Sequence, residues 1–111
     1  MDEATKKVLS YEQISSEEAK AILDSEVSCV LLDVREQDEF DAGHIPGSIL
    51  IPYTQIPELA SLFLPDKTET ILVYCRSGRR SKIAAQTLVD LGYCHVLEFG
   101  GILDWPYETV Q

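Results

Sequence analysis

The chain has 111 residues, 45% of them hydrophobic and 25% charged, which predicts one soluble globular domain over residues 1–111 with a core of its own. Its net charge of −10 excludes the basic character with which proteins bind nucleic acid or an anionic membrane surface. Three cysteines without a CxxC pair predict free thiols, and no apolar run has the length of a signal peptide or membrane span, so we expect a cytoplasmic protein. The two histidines lack metal-ligand spacing to a cysteine, so we expect no metal and no other cofactor.

The first predicted element is a helix in "SSEEAKAIL", residues 15–23, where Ser15 and Glu18 fit a capping box. Its apolar residues share one face: Ala19, Ile22 and Leu23. The continuously apolar run "CVLLDV" (29–34) predicts a strand buried on both sides. The polar segment "REQDEFDAGHIPGS" that follows predicts a loop with one helical turn near Phe40.

The second half of the chain repeats this alternation of apolar runs and helices. "ILIPY" is an apolar run stopped by Pro52, and a helix is predicted over residues 54–64 with Pro57 in its first turn. The apolar stripe of this helix is predicted at Ile56, Leu59, Leu62 and Phe63. "TILVYC" (70–75) is rich in β-forming residues and predicts the best strand of the chain.

A further helix is predicted over residues 80–91, with Gly92 as its C-terminal stop. Its inward face is predicted to carry the apolar residues and one threonine: Ile83, Ala84, Thr87, Leu88 and Leu91. "HVLEF" predicts a last strand, which a turn at residues 100–101 ends. Apolar strands that alternate with amphipathic helices predict an α/β fold with a parallel sheet covered by helices on both faces. Ligands bind such sheets at the carboxyl ends of the strands, which is where Cys75 would lie.

Positive charge is concentrated beside this cysteine. Four of the nine cations lie within seven residues: Arg76, Arg79, Arg80 and Lys82. The other five cations and nineteen acids leave a net charge of −14 elsewhere in the chain. A cationic cluster in so acidic a chain indicates a site for a small anion.

The segment between the strand and the helix must turn tightly, and Gly78 supplies the backbone freedom. The N–H groups of such a turn form an anion nest, to which the helix N-terminus adds partial positive charge. We expect the nest and the arginines to lower the pKa of Cys75 and to favour the nucleophilic thiolate. The arginines would also hold a dianionic substrate beside it. In the alternative interpretation, Cys75 is a buried structural cysteine and the arginines are a solvated helix face.

The length of the loop separates two reactions. Enzymes that use a cysteine for phosphate-monoester or arsenate chemistry carry C-x5-R, which leaves room for a tetrahedral oxyanion. Here Arg80 gives C-x4-R and the sixth residue is Ser81. The shorter loop suits a single sulfur atom added to Cys75, so sulfur transfer is favoured.

"LLDVREQDEFDAGHIPGSI" (31–49) together with "VYCRSGRRS" (73–81) resembles the single-domain rhodanese-like sulfurtransferases. The resemblance runs from about Gln13 to Trp105 and includes the closing segment "FGGILDW" (99–105), although Ile102 stands where an aromatic residue is common. It implies a parallel sheet of about five strands, a persulfide intermediate on Cys75 and an active-site loop from Cys75 to Arg80.

The candidate site residues follow from both arguments. Cys75 is the candidate catalytic residue, and the candidate substrate-binding residues are those of its loop: Arg76, Ser77, Gly78, Arg79 and Arg80. Asp33 and Arg35 are supporting residues: Asp33 orients the loop, forms a buried ion pair with Arg35, or caps a helix. The other residues that attract notice have structural interpretations: His44 bonds backbone in a turn, Cys29 and Cys94 are core or surface thiols, and Phe99 and Trp105 are core or lid aromatics.

The sequence therefore predicts a thiosulfate-type sulfurtransferase that moves sulfane sulfur from a small anionic donor to a thiol, a protein thiol or cyanide. A non-catalytic module of the same fold that binds protein is the alternative from another class, although such a module needs neither the cysteine nor the cations. An arsenate reductase or phosphatase of related fold is a second alternative, which the C-x4-R spacing disfavours.

Overall fold

The computed structural model describes residues 11–111. Five strands are present in this part of the chain: β1 (Glu12–Gln13), β2 (Cys29–Asp33), β3 (Ile49–Leu50), β4 (Thr70–Cys75) and β5 (His95–Gly101). Four α-helices connect them: α1 (Ser16–Asp24), α2 (Gln37–Ala42), α3 (Ile56–Phe63) and α4 (Arg79–Asp90). Short 3₁₀ turns precede α3, at Tyr53–Gln55, and follow β5, at Ile102–Asp104.

The strands form one parallel sheet in the order β1-β5-β4-β2-β3. The most apolar strand, β4, lies at the centre, as expected for a strand that is covered on both faces. Its first residue, Thr70, pairs with Cys29 of β2 and His95 of β5, and its last residue, Cys75, pairs with Gly101. The α/β class and the parallel sheet are thus confirmed.

Two apolar layers cover the sheet because alternate residues of each strand point to opposite faces. Ile71, Val73 and Cys75 of β4 belong to the layer that α3 and α4 complete. Leu72 and Tyr74 belong to the other layer, which includes Ala19 of α1 together with the aromatic residues Phe99 and Trp105. The predicted core role of these two aromatic residues is confirmed.

Most predicted elements lie where the pattern placed them, and the Ser15–Glu18 capping box at α1 is present. Two predictions about helix faces are wrong. Leu62 and Phe63 of α3 are 71% and 50% exposed, while Ile56 is buried as predicted and Ala60, outside the predicted stripe, is buried with it. In α4, Ile83 is 44% exposed, while the small Ala84 and Ala85 face the sheet.

The turn predicted at Gly100–Gly101 is also wrong, since both residues continue β5 and the chain turns only afterwards. The two polar residues of β1 give no pattern, and this strand is not predicted from the sequence itself. Within residues 11–111 no helix is long and apolar enough to cross a membrane. The same residues contain no cluster of three or more side chains suited to hold a metal ion.

Candidate active site

Cys75 ends β4 at the carboxyl edge of the sheet, as predicted, and its side chain is 1% exposed. Three residues separate it from the start of α4, so the chain reverses in one tight loop. Gly78 makes this possible with φ of +106°, a conformation that residues with a Cβ rarely adopt. Its N–H group points back into the loop and donates to Cys75 Sγ at 3.0 Å.

A second glycine lets β5 approach the back of this loop. Gly101 pairs with Cys75 in the sheet, and a Cβ at Gly101 would overlap the carbonyl group of Arg76 and lie 2.6 Å from Ser77 Cα. Just beyond, the N–H of Leu103 donates to the Arg76 carbonyl at 3.2 Å. The loop is therefore held from behind by backbone contact that a side chain would prevent.

The surroundings of the thiol favour its ionised form. Burial raises the pKa of Cys75, but hydrogen bonds from the Ser81 side chain and from the N–H groups of Ser81, Gly78 and Ser77 lower it, and the net pKa lies below the ordinary value. The expected nest is present in these N–H groups. The hydrogen bonds, rather than the arginines, are the main favourable influence on the thiolate.

The arginines beside Cys75 differ in whether they are paired with an acidic side chain. Arg80 donates from both terminal nitrogens to the two carboxylate oxygens of Glu39 in α2, at 2.8 and 2.9 Å. The hydrogen bond from Arg80 lowers the pKa of Glu39 to about 2. Arg76 and Arg79 are exposed, and neither makes an ion pair with any residue in the described range 11–111. The sequence predicts one role for all three arginines, whereas Arg80 joins the loop to α2.

Behind the loop lies a buried carboxylate that sequence analysis missed. Glu98 of β5 is 1% exposed, and its Oε2 accepts a hydrogen bond of 2.5 Å from Ser81 Oγ. The same hydroxyl lies 3.4 Å from Cys75 Sγ. In "HVLEF" Glu98 has the pattern of a solvent-facing strand residue, and no local signal shows that α4 and β1 cover it.

Asp33 and Arg35 form a buried ion pair, which is one of the interpretations that the sequence leaves open. Arg35 donates to both oxygens of Asp33, with its terminal nitrogen at 2.7 Å, and also to the carbonyl of Gly43 at 2.7 Å. The pair thus fixes the segment that follows α2. His44 bonds backbone as predicted, since its Nδ1 lies 2.8 Å from the Phe40 carbonyl oxygen.

The other two cysteines lie far from this site. Cys29 begins β2 and pairs with Thr70, so it occupies the amino edge of the sheet, and Cys94 is an exposed thiol just before β5. Both positions agree with the core or surface roles predicted for them.

Comparison with known proteins shows a family match over nearly all of the described chain. The family model described as "Rhodanese-like domain" matches residues 15–107. Thiosulfate sulfurtransferase PspE of Escherichia coli is 38% identical over 80 residues, a match that covers 72% of this chain and 77% of that protein. Thiosulfate:glutathione sulfurtransferase of Saccharomyces cerevisiae is 31% identical over an alignment 114 residues long, and the match covers 91% of this chain and 82% of that protein.

A solved structure described as a rhodanese with anions from E. coli superposes with a TM-score of 0.71 at 34% identity, over 76% of this chain and 99% of that one. Some other relatives are longer proteins. The chain spans 54% of a Bacillus subtilis relative that is 37% identical. It spans 21% of the adenylyltransferase and sulfurtransferase UBA4 of Meyerozyma guilliermondii.

Proposed function

The chain belongs to the rhodanese-like domain family, and we propose that it is a sulfurtransferase that carries sulfane sulfur as a persulfide on Cys75. One observation supports this proposal above all: a buried thiol at the carboxyl edge of a parallel sheet, with its pKa lowered by loop hydrogen bonds. The names of the two sulfurtransferase relatives support the reaction class and thiosulfate as a donor.

The reaction consists of two displacements at sulfur. The Cys75 thiolate attacks the sulfane sulfur of thiosulfate, a new S–S bond forms, and sulfite leaves with the electron pair of the bond that breaks. A thiolate or cyanide then attacks the outer sulfur of the persulfide, and the electron pair of the enzyme's S–S bond returns to Cys75. No net oxidation occurs in either step, so the cycle needs no cofactor.

The loop supplies both binding and stabilisation. The N–H groups of Ser77, Gly78 and Ser81 would stabilise negative charge on the inner sulfur in the thiolate before transfer and again after it. Arg76 and Arg79, exposed at the mouth of the loop, would attract the dianionic donor into an otherwise acidic protein. Arg80 has a smaller part in donor binding because Glu39 neutralises its charge.

Two alternatives make different predictions. A protein-binding module of this fold would have no need of a thiol with a lowered pKa. A phosphatase or arsenate reductase would need a loop one residue longer than that between Cys75 and Arg80. We therefore expect negligible hydrolysis of small aryl phosphates, and strong hydrolysis would contradict the proposal.

The direct test is the intact mass of the protein after incubation with thiosulfate, polysulfide and a small-molecule persulfide in turn. We expect a gain of one sulfur atom, located on Cys75 by fragmentation, and its loss when cyanide or a thiol is added. A protein that gains no sulfur from any donor, or gains it on Cys29 or Cys94, would contradict the proposal. The cytoplasmic location and the thiol or protein-thiol acceptor also stay predictions.

A further inference from the structure

The carboxylate behind the active-site loop makes contacts with groups from two strands and one helix. Glu98 Oε2 accepts from Ser81 Oγ at 2.5 Å and from the N–H of Gly100 at 2.9 Å. Its Oε1 accepts from the Gln13 amide of β1 at 3.3 Å and lies 3.8 Å from Lys82 Nζ. Cys75, at the end of β4, lies within 3.4 Å of the same Ser81 hydroxyl. The Cys75 thiol, the Ser81 hydroxyl and the Glu98 carboxyl thus form a line of hydrogen-bonding groups inside the protein.

The direction of the hydrogen bonds in this line is restricted by the single proton of the hydroxyl. When Ser81 donates to an ionised Glu98, its oxygen can accept only the S–H proton of Cys75. When Ser81 donates to a Cys75 thiolate, the contact with Glu98 is favourable only if the carboxyl itself carries a proton and donates it. The carbonyl oxygens of Gly78 and Gly100, at 3.2 and 3.3 Å from Ser81 Oγ, are longer and weaker acceptors.

We propose that Glu98 receives the proton of Cys75 through Ser81 when the thiolate forms. The S–H bond breaks as its proton passes to Ser81 Oγ, and the hydroxyl proton of Ser81 passes to Glu98 Oε2. The products are a thiolate that accepts a hydrogen bond from Ser81 and a neutral carboxyl that donates one to Ser81. Glu98 acts only through Ser81 and is in that sense a positioning residue for the reactive thiolate.

The reason is electrostatic. Glu98 and Cys75 are both almost fully buried, and two negative charges joined by one hydroxyl repel each other strongly in such surroundings. Proton transfer within the line moves one negative charge from Glu98 to Cys75 and leaves the total unchanged. Lys82, whose side chain is 47% exposed, favours the charge on Glu98, while the Gln13 amide contributes no charge.

This inference rests on the proposed function, in which the thiolate of Cys75 is the attacking group, but its test needs no sulfur donor. Carbon-13 NMR of the Glu98 carboxyl and of the Cys75 β-carbon reports the protonation of both groups in the native protein. The Cys29→Ser/Cys94→Ser background leaves Cys75 as the only thiol. At neutral pH we expect a thiolate fraction at Cys75 that is matched by an equal protonated fraction at Glu98. A fully ionised Glu98 at neutral pH would overturn the proposal.

A second test follows the rate at which iodoacetamide alkylates Cys75 as a function of pH. If the proton stays inside the protein when the thiolate forms, the thiolate fraction does not depend on pH near neutrality, so the parent rate should change less than about twofold per pH unit there. Glu98→Gln keeps the shape of the side chain but cannot accept a proton. Its rate should change about tenfold per pH unit below a single thiol titration. Ser81→Ala removes the hydroxyl that bridges the two groups, so it should weaken their coupling and narrow the plateau.

The matched control is Glu69→Gln, which removes one negative charge at the amino edge of the sheet, just before β4. It should keep the parent profile. A parent rate that already changes about tenfold per pH unit, with no plateau, would show that the carboxyl takes no proton and would overturn the proposal. Failure of the proposed function gives a different pattern. In that case thiosulfate leaves Cys75 unmodified although the carbon-13 shifts and the alkylation plateau are as expected.

Discussion

The two edges of the sheet give two cysteines opposite chemistry. At the amino edge, Cys29 has a raised pKa, first because of burial and then because of the nearby carboxylate of Glu69. At the carboxyl edge, burial also raises the pKa of Cys75, but the hydrogen bonds of the loop outweigh it and lower the pKa. Burial is common to both, so the difference lies in which polar groups each edge supplies.

The direction of the chain explains which groups those are. In a parallel strand–loop–helix unit, the loop after the strand leads into a helix N-terminus, whose first N–H groups have no partner within the helix. Cys75 lies at this point, and the N–H groups of Gly78 and Ser81 are turned toward it. Cys29 begins its strand, so no helix N-terminus follows it at that edge. The position of a cysteine along its strand therefore decides whether its thiolate is stabilised.

The largest expected effect comes from the same substitution at the two edges. Cys75→Ser should abolish thiosulfate:cyanide transfer, because the hydroxyl is not a nucleophile at neutral pH and cannot carry the sulfur. Cys29→Ser should retain near-normal transfer. Both variants should unfold in urea near the parent midpoint, which shows that the loss is chemical. Substantial turnover by Cys75→Ser would place the reaction elsewhere.

The next largest effect concerns the contact between β5 and the loop. In Gly101→Ala the new methyl group would overlap the carbonyl group of Arg76, so backbone must move. We expect a loss of about 2–4 kcal/mol in the free energy of unfolding in urea, together with slower alkylation of Cys75 as the nest opens.

The control for this change is Gly47→Ala, in an open turn with φ of +86° and no heavy atom within 4 Å of the added Cβ. There the substitution adds backbone strain but no overlap, so it should lower the free energy of unfolding by about 1–2 kcal/mol. The alkylation rate of Cys75 should stay at the parent value in this variant. Equal effects of the two substitutions on alkylation would show that the close approach of β5 does not shape the loop.

Features that depend on neighbours in the chain could be predicted from the sequence, and features that depend on distant residues could not. The strand over residues 70–75, the position of Cys75 at its end and the freedom needed at Gly78 all follow from neighbours in the chain. These local features place the thiol in a turn of backbone N–H groups, and that part of the site is therefore predictable from the sequence.

What the sequence could not predict depends on residues far apart in the chain. Arg80 is paired with Glu39, 41 residues away. The sequence predicts a free charge at Arg80 that binds the donor, but Glu39 neutralises that charge. Glu98 has no sequence signal at all, because its burial is produced by β1 and α4 and its partner Ser81 lies 17 residues earlier. The exposed Leu62 shows the same limit, since the helical pattern does not say which face meets the sheet.

A smaller effect is expected from the ion pair that joins the loop to α2. The pKa of Glu39 falls from 4.5 to about 2 in the folded protein, with the Arg80 hydrogen bond as the first cause. The stability that this shift contributes is present above about pH 4.5 and is lost as the pH falls through about 2. Because the pair is partly exposed to solvent, we expect about 1–2 kcal/mol at neutral pH.

Urea unfolding of Glu39→Gln checks this expectation. The variant should be less stable than the parent at neutral pH, and the gap should narrow as the pH falls below about 4.5. An unchanged gap down to about pH 2 would mean that the carboxylate charge of Glu39 does not stabilise the fold. Glu12→Gln, an exposed residue of β1, is the matched control and should show no gap.

The smallest expected effect tests whether sulfur passes from Cys75 to a cysteine at the other edge of the sheet. An internal dithiol relay would need a second cysteine whose Cα atom comes within about 7 Å of that of Cys75. Cys29 pairs with Thr70, five residues before Cys75 on the adjacent strand, which at about 3.3 Å per residue is an offset of roughly 16 Å. Cys94 precedes His95, which also pairs with Thr70, so it lies near the same distant edge.

The persulfide should therefore persist until an external thiol or cyanide arrives. We expect Cys29→Ser/Cys94→Ser to transfer sulfur at near-normal rates, with one sulfur atom added to Cys75 by the donor alone. An intramolecular disulfide that includes Cys75, trapped after donor treatment and absent from the double variant, would contradict this separation of the two edges.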